Sequence, residues 1–252
     1  MFVGACNSPA VRFSDTAERL GFRLGNARSS SFDHLLVHNA RSGNQLHLYF
    51  GGDGSPWVRG RWVSSDPTPN RAVTLELMAL DAQPAVYVGR PCYHAQTGPC
   101  TPALVTNARY SETIVASMEE VARHLIAQRP TLRPVLFGFS GGGVLALLVA
   151  ERIAAVDVVV TVAANLDIDA WAEHHGYLSL DRSINPAEHD HWRTDLSQLH
   201  LTGAKDQNVP PGTLERFRVS APHARVRTFE RFDHGCCWQR AWPAILEALS
   251  DP

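Results

Sequence analysis

In the stretch Pro134-Val-Leu-Phe-Gly-Phe-Ser-Gly-Gly-Gly-Val-Leu-Ala-Leu-Leu-Val-Ala150, an apolar strand runs directly into glycines and then into a helical segment. Gly138-Phe139-Ser140-Gly141-Gly142 fits G-x-S-x-G, and each residue type has a physical reason. A serine on a sharp strand-to-helix turn takes a strained backbone conformation, which side chains two positions away would obstruct. Gly138 and Gly142 remove that obstruction. The turn lifts the hydroxyl to the top of a sheet, and the amide of Gly141, first in the following helix, points to where negative charge develops. Val135, Leu136, Phe137 and Phe139 read as a buried parallel strand, and Val144 to Glu151 as a packed helix without glycine or proline. That context sets this motif apart from a glycine-rich turn that merely contains a serine.

A serine hydroxyl becomes a nucleophile when a base takes its proton as it attacks. Of the twelve histidines, His234 is placed best, on a loop after the last predicted strand and before the last helix. The cation that forms on it needs a carboxylate partner, and Asp206 follows a strand end in the turn Gly203-Ala204-Lys205-Asp206-Gln207-Asn208. Asp167, Asp169 and Asp233 are its rivals. The chain order serine, acid, histidine is one of the three known orders of such a triad.

The elements around these residues alternate between strands and helices. Strands are expected at Phe22 to Arg28, Phe32 to Asn39, Gln45 to Phe50, Ala85 to Gly89, Val156 to Ala163, Gln198 to Thr202 and Arg225 to Phe229. The turn cluster Arg41-Ser42-Gly43-Asn44 predicts an antiparallel hairpin between the second and third of them. Helices are expected at Phe13 to Leu20, Arg71 to Ala82, Ser111 to Gln128, Leu214 to Val219 and Gln239 to Leu249. The fold class is therefore α/β, a mostly parallel central sheet with helices on both faces. No large cap domain fits between Ala163 and Gln198. Asn165 to Asp195, rich in histidine and aromatics, is read either as a roof over the site or as a surface excursion. His189-Asp190-His191 is no metal site by spacing, because two such histidines share a side only on an extended chain and no third ligand is apparent. No metal and no cofactor is expected.

Composition bounds the rest. The 252 residues suit one large domain, 21–252, preceded by an N-terminal segment, 1–20. Hydrophobic residues are 44%, enough for a large core, yet no stretch approaches the ~20 apolar residues of a membrane span. The net charge is -2, Lys205 is the only lysine, and the arginines are scattered, so nothing points to nucleic acid. Met1-Phe2-Val3-Gly4-Ala5-Cys6 ends like a bacterial lipoprotein signal without the charged start and apolar region of one. The expectation is a trimmed leader, a lipid anchor at Cys6 and a place in the cell envelope; an accidental match in a cytoplasmic protein is the alternative. Cys92 and Cys100 flank a short loop and are the simplest local bridge, while Cys236 and Cys237 are read as a vicinal bridge, as partners of the first two, or as thiols.

Over Phe32 to Trp242 the chain resembles the α/β-hydrolase superfamily, and more narrowly small bacterial lipoprotein-type members, through YFGGDGSPW, GRPCY, GFSGGG, ANLD, GAKDQNVPP and DHGCCW. The resemblance implies that Ser140 attacks an acyl carbon, His234 shuttles the proton and Asp206 holds the histidine. It also implies that the amide of Gly141 and an amide of the Gly52-Asp53 segment bind the oxyanion. Many relatives carry histidine where this chain has Gly51, which leaves the bracing of that loop to be found elsewhere. Trp57, Tyr93, Phe139, Trp171 and Trp238 are the expected pocket walls. The leading expectation is cleavage of a small carboxylic ester through an acyl-enzyme, with short acyl chains because no large cap is present. Amide or thioester cleavage, acyl transfer, and a non-catalytic cell-envelope protein that keeps the fold are the alternatives.

Overall fold

The computed structural model describes residues 8–95 and 98–250, so Cys6 and the proposed anchor lie outside the described residues. The described residues contain ten strands: β1 Arg23–Arg28, β2 Asp33–His38, β3 Gln45–Phe50, β4 Trp57–Val58, β5 Trp62–Val63, β6 Ala85–Val88, β7 Arg133–Phe139, β8 Val158–Val162, β9 Ser197–Gly203 and β10 Arg225–Phe229. Eight of them form one sheet in the order β1-β2-β6-β3-β7-β8-β9-β10, and β4 and β5 form a separate small hairpin. From β6 to β10 every neighbouring pair is parallel; β1 and β2 run antiparallel to each other, and β2 runs antiparallel to β6.

Helices cover both faces. On one side α4 (Glu112–Ala127) and α5 (Gly141–Arg152) pack on Leu46, Leu48 and Phe50 of β3. On the other, α1 (Pro9–Arg19), α2 (Val73–Met78) and α8 (Trp238–Ser250) meet Tyr49, Val135 and Phe137. Residues 9–19 of the N-terminal segment are thus helix α1, with Phe13 and Ala17 buried in the core of the domain. The short helices α3 (Pro102–Val105), α6 (Ile168–His175) and α7 (Glu215–Ser220) lie in the connections. No helix among the described residues is long and apolar enough to cross a membrane.

The expected hairpin between β2 and β3 does not form. β6 inserts between them, antiparallel to β2 and parallel to β3. Residues 39–44 form an irregular connection rather than a hairpin turn, and they are tied to the start of β6: the amides of Asn44 and Gln45 donate to the Gln83 side chain, and the Asn39 side chain receives the amide of Ala85. The polar face of β3 is buried as well, because Asp81 accepts from Tyr49 and pairs with His47, which in turn meets Gln45. Alternation of polar and apolar residues, normally the mark of a half-exposed strand, here belongs to a strand covered on both faces.

Candidate active site

β7 ends at Phe139 and α5 starts at Gly141, so Ser140 is the whole connection. It sits at φ 53° and ψ -129°, a conformation that costs a non-glycine residue ~1–3 kcal/mol. Two backbone bonds hold it there: its amide donates to Val162 O on β8 at 2.8 Å, and its carbonyl accepts from Gly143 N at 2.8 Å. A side chain at Gly138 would collide with the backbone of Gly142 and Gly143, and one at Gly142 with the carbonyls of Phe50 and Gly51. Those two glycines are what let the turn close.

Three loops at the C-terminal end of the parallel strands meet at this serine, where open α/β sheets place their sites. His234, after β10, brings Nε2 within 3.1 Å of Ser140 Oγ. Asp206, after β9, brings Oδ2 within 2.9 Å of His234 Nδ1. The carboxylate of Asp206 is fully buried, and its other oxygen accepts the amides of Asn208 and Val209 at 2.8 and 2.7 Å. The rivals are engaged elsewhere: Asp167 caps α6 and pairs with Arg216, which also binds Asp169, and Asp233 accepts the amides of Gly235 and Cys236. Trp238 lies beneath the loop and donates its indole N–H to His234 O at 3.1 Å.

The loop after β3 passes directly over the serine, with Gly52 so close that an added Cβ would lie 3.3 Å from Ser140 Cβ. The amides of Gly52 and Asp53 donate to no acceptor within the described residues, and that of Gly141 opens α5, where helix amides lack intrahelical partners. The loop is braced by Asp53 itself. Its carboxylate takes Arg90 at 2.6 Å, Arg109 at 3.1 Å and the Tyr110 hydroxyl, while Tyr93 donates to its carbonyl at 2.9 Å. Burial alone would raise the pKa of Asp53, but the charges of Arg109 and Arg90 and the hydrogen bonds from Tyr110 and Arg90 outweigh it and hold the carboxyl below its ordinary value. Burial and the neighbouring carboxylate push the Tyr110 hydroxyl up, so it stays protonated and donates. At Gly51 the Tyr87 hydroxyl occupies the space a side chain would need.

The cleft above Ser140 encloses about 1140 Å³. Of the expected pocket residues, Trp57, Phe139 and Trp171 line this cleft. Tyr93 and Trp238 do not: both are buried, one bracing the Gly52-Asp53 loop and the other supporting His234. The segment 165–195 divides in two. α6 and residues 176–181 form one wall of the cleft, whereas His189 and His191 border a separate surface depression. Among the described residues no three His, Cys, Asp or Glu side chains are grouped to hold a metal ion.

Four contributors escaped the sequence reading. Arg90, Arg109 and Tyr110 form the clamp on Asp53, and Asn208 places its amide nitrogen 3.0 Å from His234 Nε2 while its carbonyl accepts from Trp171 and His175. The loop of the acid is thereby tied to the cleft wall. Two disulfides, Cys92–Cys100 and Cys236–Cys237, secure the loops that carry Tyr93 and His234.

Solved structures share this architecture. The esterase Pf2001 of Pyrococcus furiosus superposes with a TM-score of 0.64 at 11% identity, over 92% of this chain and 90% of that one. An esterase/lipase from an uncultured bacterium gives 0.61 at 13%, over 99% and 92%. The chain has the α/β-hydrolase fold. A dienelactone hydrolase structure from Klebsiella pneumoniae, described as putative, gives 0.55 at 18% over 84% and 87%. No protein-family model matches the sequence, and no curated protein does. Within the α/β-hydrolase fold, the loops after β3, β7, β9 and β10 are the ones that converge here, so the site and the topology are a single arrangement.

Proposed function

We propose that this chain is a serine hydrolase that cleaves carboxylic esters through an acyl-enzyme. The observation that carries this reading is the unbroken series Ser140 Oγ, His234 Nε2 at 3.1 Å, His234 Nδ1 and Asp206 Oδ2 at 2.9 Å, built on a strained serine. His234 takes the Ser140 proton as Oγ bonds to the acyl carbon, and the carbonyl electrons move onto its oxygen. The amides of Gly141 and of the Gly52-Asp53 segment receive that oxyanion. Collapse expels the alkoxide, which leaves with the proton from His234. Water, deprotonated by the same nitrogen, then attacks the acyl carbon; collapse breaks its bond to Ser140 Oγ, which regains a proton from His234 as the acid leaves. Asp206 keeps the proton-bearing Nδ1 directed away from the serine, so that Nε2 is the basic nitrogen. Asn208 donates to Nε2 at rest and has to yield once Nε2 carries the serine proton.

The missing large cap argued for short acyl chains. A cleft of about 1140 Å³, walled by Trp57, Phe139 and Trp171, supports a longer one, since ordinary ligand sites occupy ~300–1,000 Å³. The test is kcat/KM on p-nitrophenyl esters from acetate through butyrate to octanoate and beyond. A rise from acetate towards octanoate is expected. A maximum at acetate would overturn the longer-chain reading, and no turnover of any ester above buffer would overturn ester hydrolysis.

A further inference from the structure

Large apolar side chains are exposed in two segments at the mouth of the cleft. One is the hairpin β4–β5, where Trp57 faces Val63 and Val58 faces Trp62 across the two strands, all four exposed and Trp62 at 66%. The other follows α6 and presents Tyr177 and Leu178, the latter at 92%. Trp57, Gly60, Tyr177 and Leu178 also line the cleft, so the two segments are its lips. The hairpin shares no strand pairing with the main sheet, and neither Trp62 nor Val58 packs into either core. Its turn is Arg59-Gly60-Arg61, with both arginines exposed and the Arg61 guanidinium 6.0 Å from the Trp62 ring centre. Neither arginine has a carboxylate partner among the described residues: of the acids flanking the hairpin in sequence, Asp53 is turned inward to Arg90 and Arg109, and Asp66 accepts the amides of Ala10 and Thr68.

Tryptophan with flanking arginine is the pairing that suits the boundary between lipid headgroups and acyl chains: the rings fill the interface and the guanidiniums meet anionic headgroups. A chain of net charge -2 has no general attraction to such a surface, so the cation pair at the tip supplies a local one. We propose that the lips of the cleft dock on an anionic lipid surface and admit an acyl ester from that surface to Ser140. The substrate half of this proposal rests on the ester-hydrolase reading; the docking half does not.

Docking is tested by vesicle sedimentation with Ser140→Ala protein, which separates binding from turnover. Vesicles of phosphatidylcholine with phosphatidylglycerol are compared with phosphatidylcholine alone. Binding to the mixed vesicles is expected, at least about tenfold weaker on neutral ones because two cationic side chains contribute, and weakened by salt. Val58→Ser with Trp62→Ser is expected to reduce binding about tenfold or more. The same pair in the active chain should leave turnover of soluble p-nitrophenyl butyrate unchanged, which also shows that it folds, and should lower release of fatty acid from mixed vesicles. Equal binding to both vesicle types, no binding to either, or no effect of the paired substitution overturns docking. A dimer seen by light scattering and lost in the paired variant would identify a second copy as the occupant and overturn it too. Intact docking without any ester turnover would overturn the substrate half alone.

Discussion

Ser140→Ala and His234→Ala are each expected to lower kcat for p-nitrophenyl butyrate by about a millionfold, and the double variant by no more than either alone. The two groups act as one unit: without the base Oγ keeps its proton, and without Oγ the base has nothing to activate. What survives comes from the oxyanion amides and from binding. Asp206→Asn is the more informative change. Its Oδ1 can keep the amides of Asn208 and Val209, so the loop should hold its shape. Its Nδ2 then donates where His234 Nδ1 must donate, which puts the imidazole in the wrong tautomer and costs about 10⁴ in kcat. Single-turnover and steady-state rates at equal concentrations of folded protein check this. Additive losses in the double variant, or Asp206→Asn within tenfold of wild type, would contradict the series.

Asp53→Ala is expected to lower both stability and rate, for one reason. The carboxylate lies between two buried guanidiniums at 2.6 and 3.1 Å, and its loss leaves both without an opposite charge. Breaking such a buried pair costs about 3–5 kcal/mol, or roughly 10 °C or more in melting temperature for a chain of this size. The same residue fixes the position of the Gly52 and Asp53 amides, so kcat should fall by about 10²-fold, the effect of losing one well-placed donor. Asp53→Asn keeps the shape, removes the charge, and should fall between the two. Calorimetry together with kcat on the soluble ester checks this. An unchanged melting temperature would show that the clamp is not a buried charge cluster, and an unchanged kcat would show that the loop amides do not depend on it.

The elbow was legible because everything that determines it is local. Strand, glycines, serine and helix occupy seventeen consecutive residues, and the two essential glycines flank Ser140 by two positions. That Asp206 and His234 lie close to Ser140 was legible from chain order, since each follows a strand that a β-rich run marks. Contacts between distant segments were not. Nothing near Asp53 signals Arg90, Arg109 or Tyr110, which are 37, 56 and 57 positions away. The β2–β3 hairpin was misread for the same reason: a turn signal is local, whereas the insertion of β6 is decided by burial over the whole sheet. Tyr93 and Trp238, expected as pocket walls, are buried beside the cleft instead, because adjacent residues need not face the same way: Tyr93 donates to the Asp53 carbonyl and Trp238 packs in the core beneath His234.

Intact-mass spectrometry after exposure to an alkyl fluorophosphonate tests Ser140 most directly, because the reagent needs an activated serine and no knowledge of the substrate. Stoichiometric addition of one phosphonyl group, mapped to Ser140 and absent in Ser140→Ala and His234→Ala, is the expected result. Folded wild-type protein that stays unmodified, or that is modified at another residue, would contradict the proposed nucleophile.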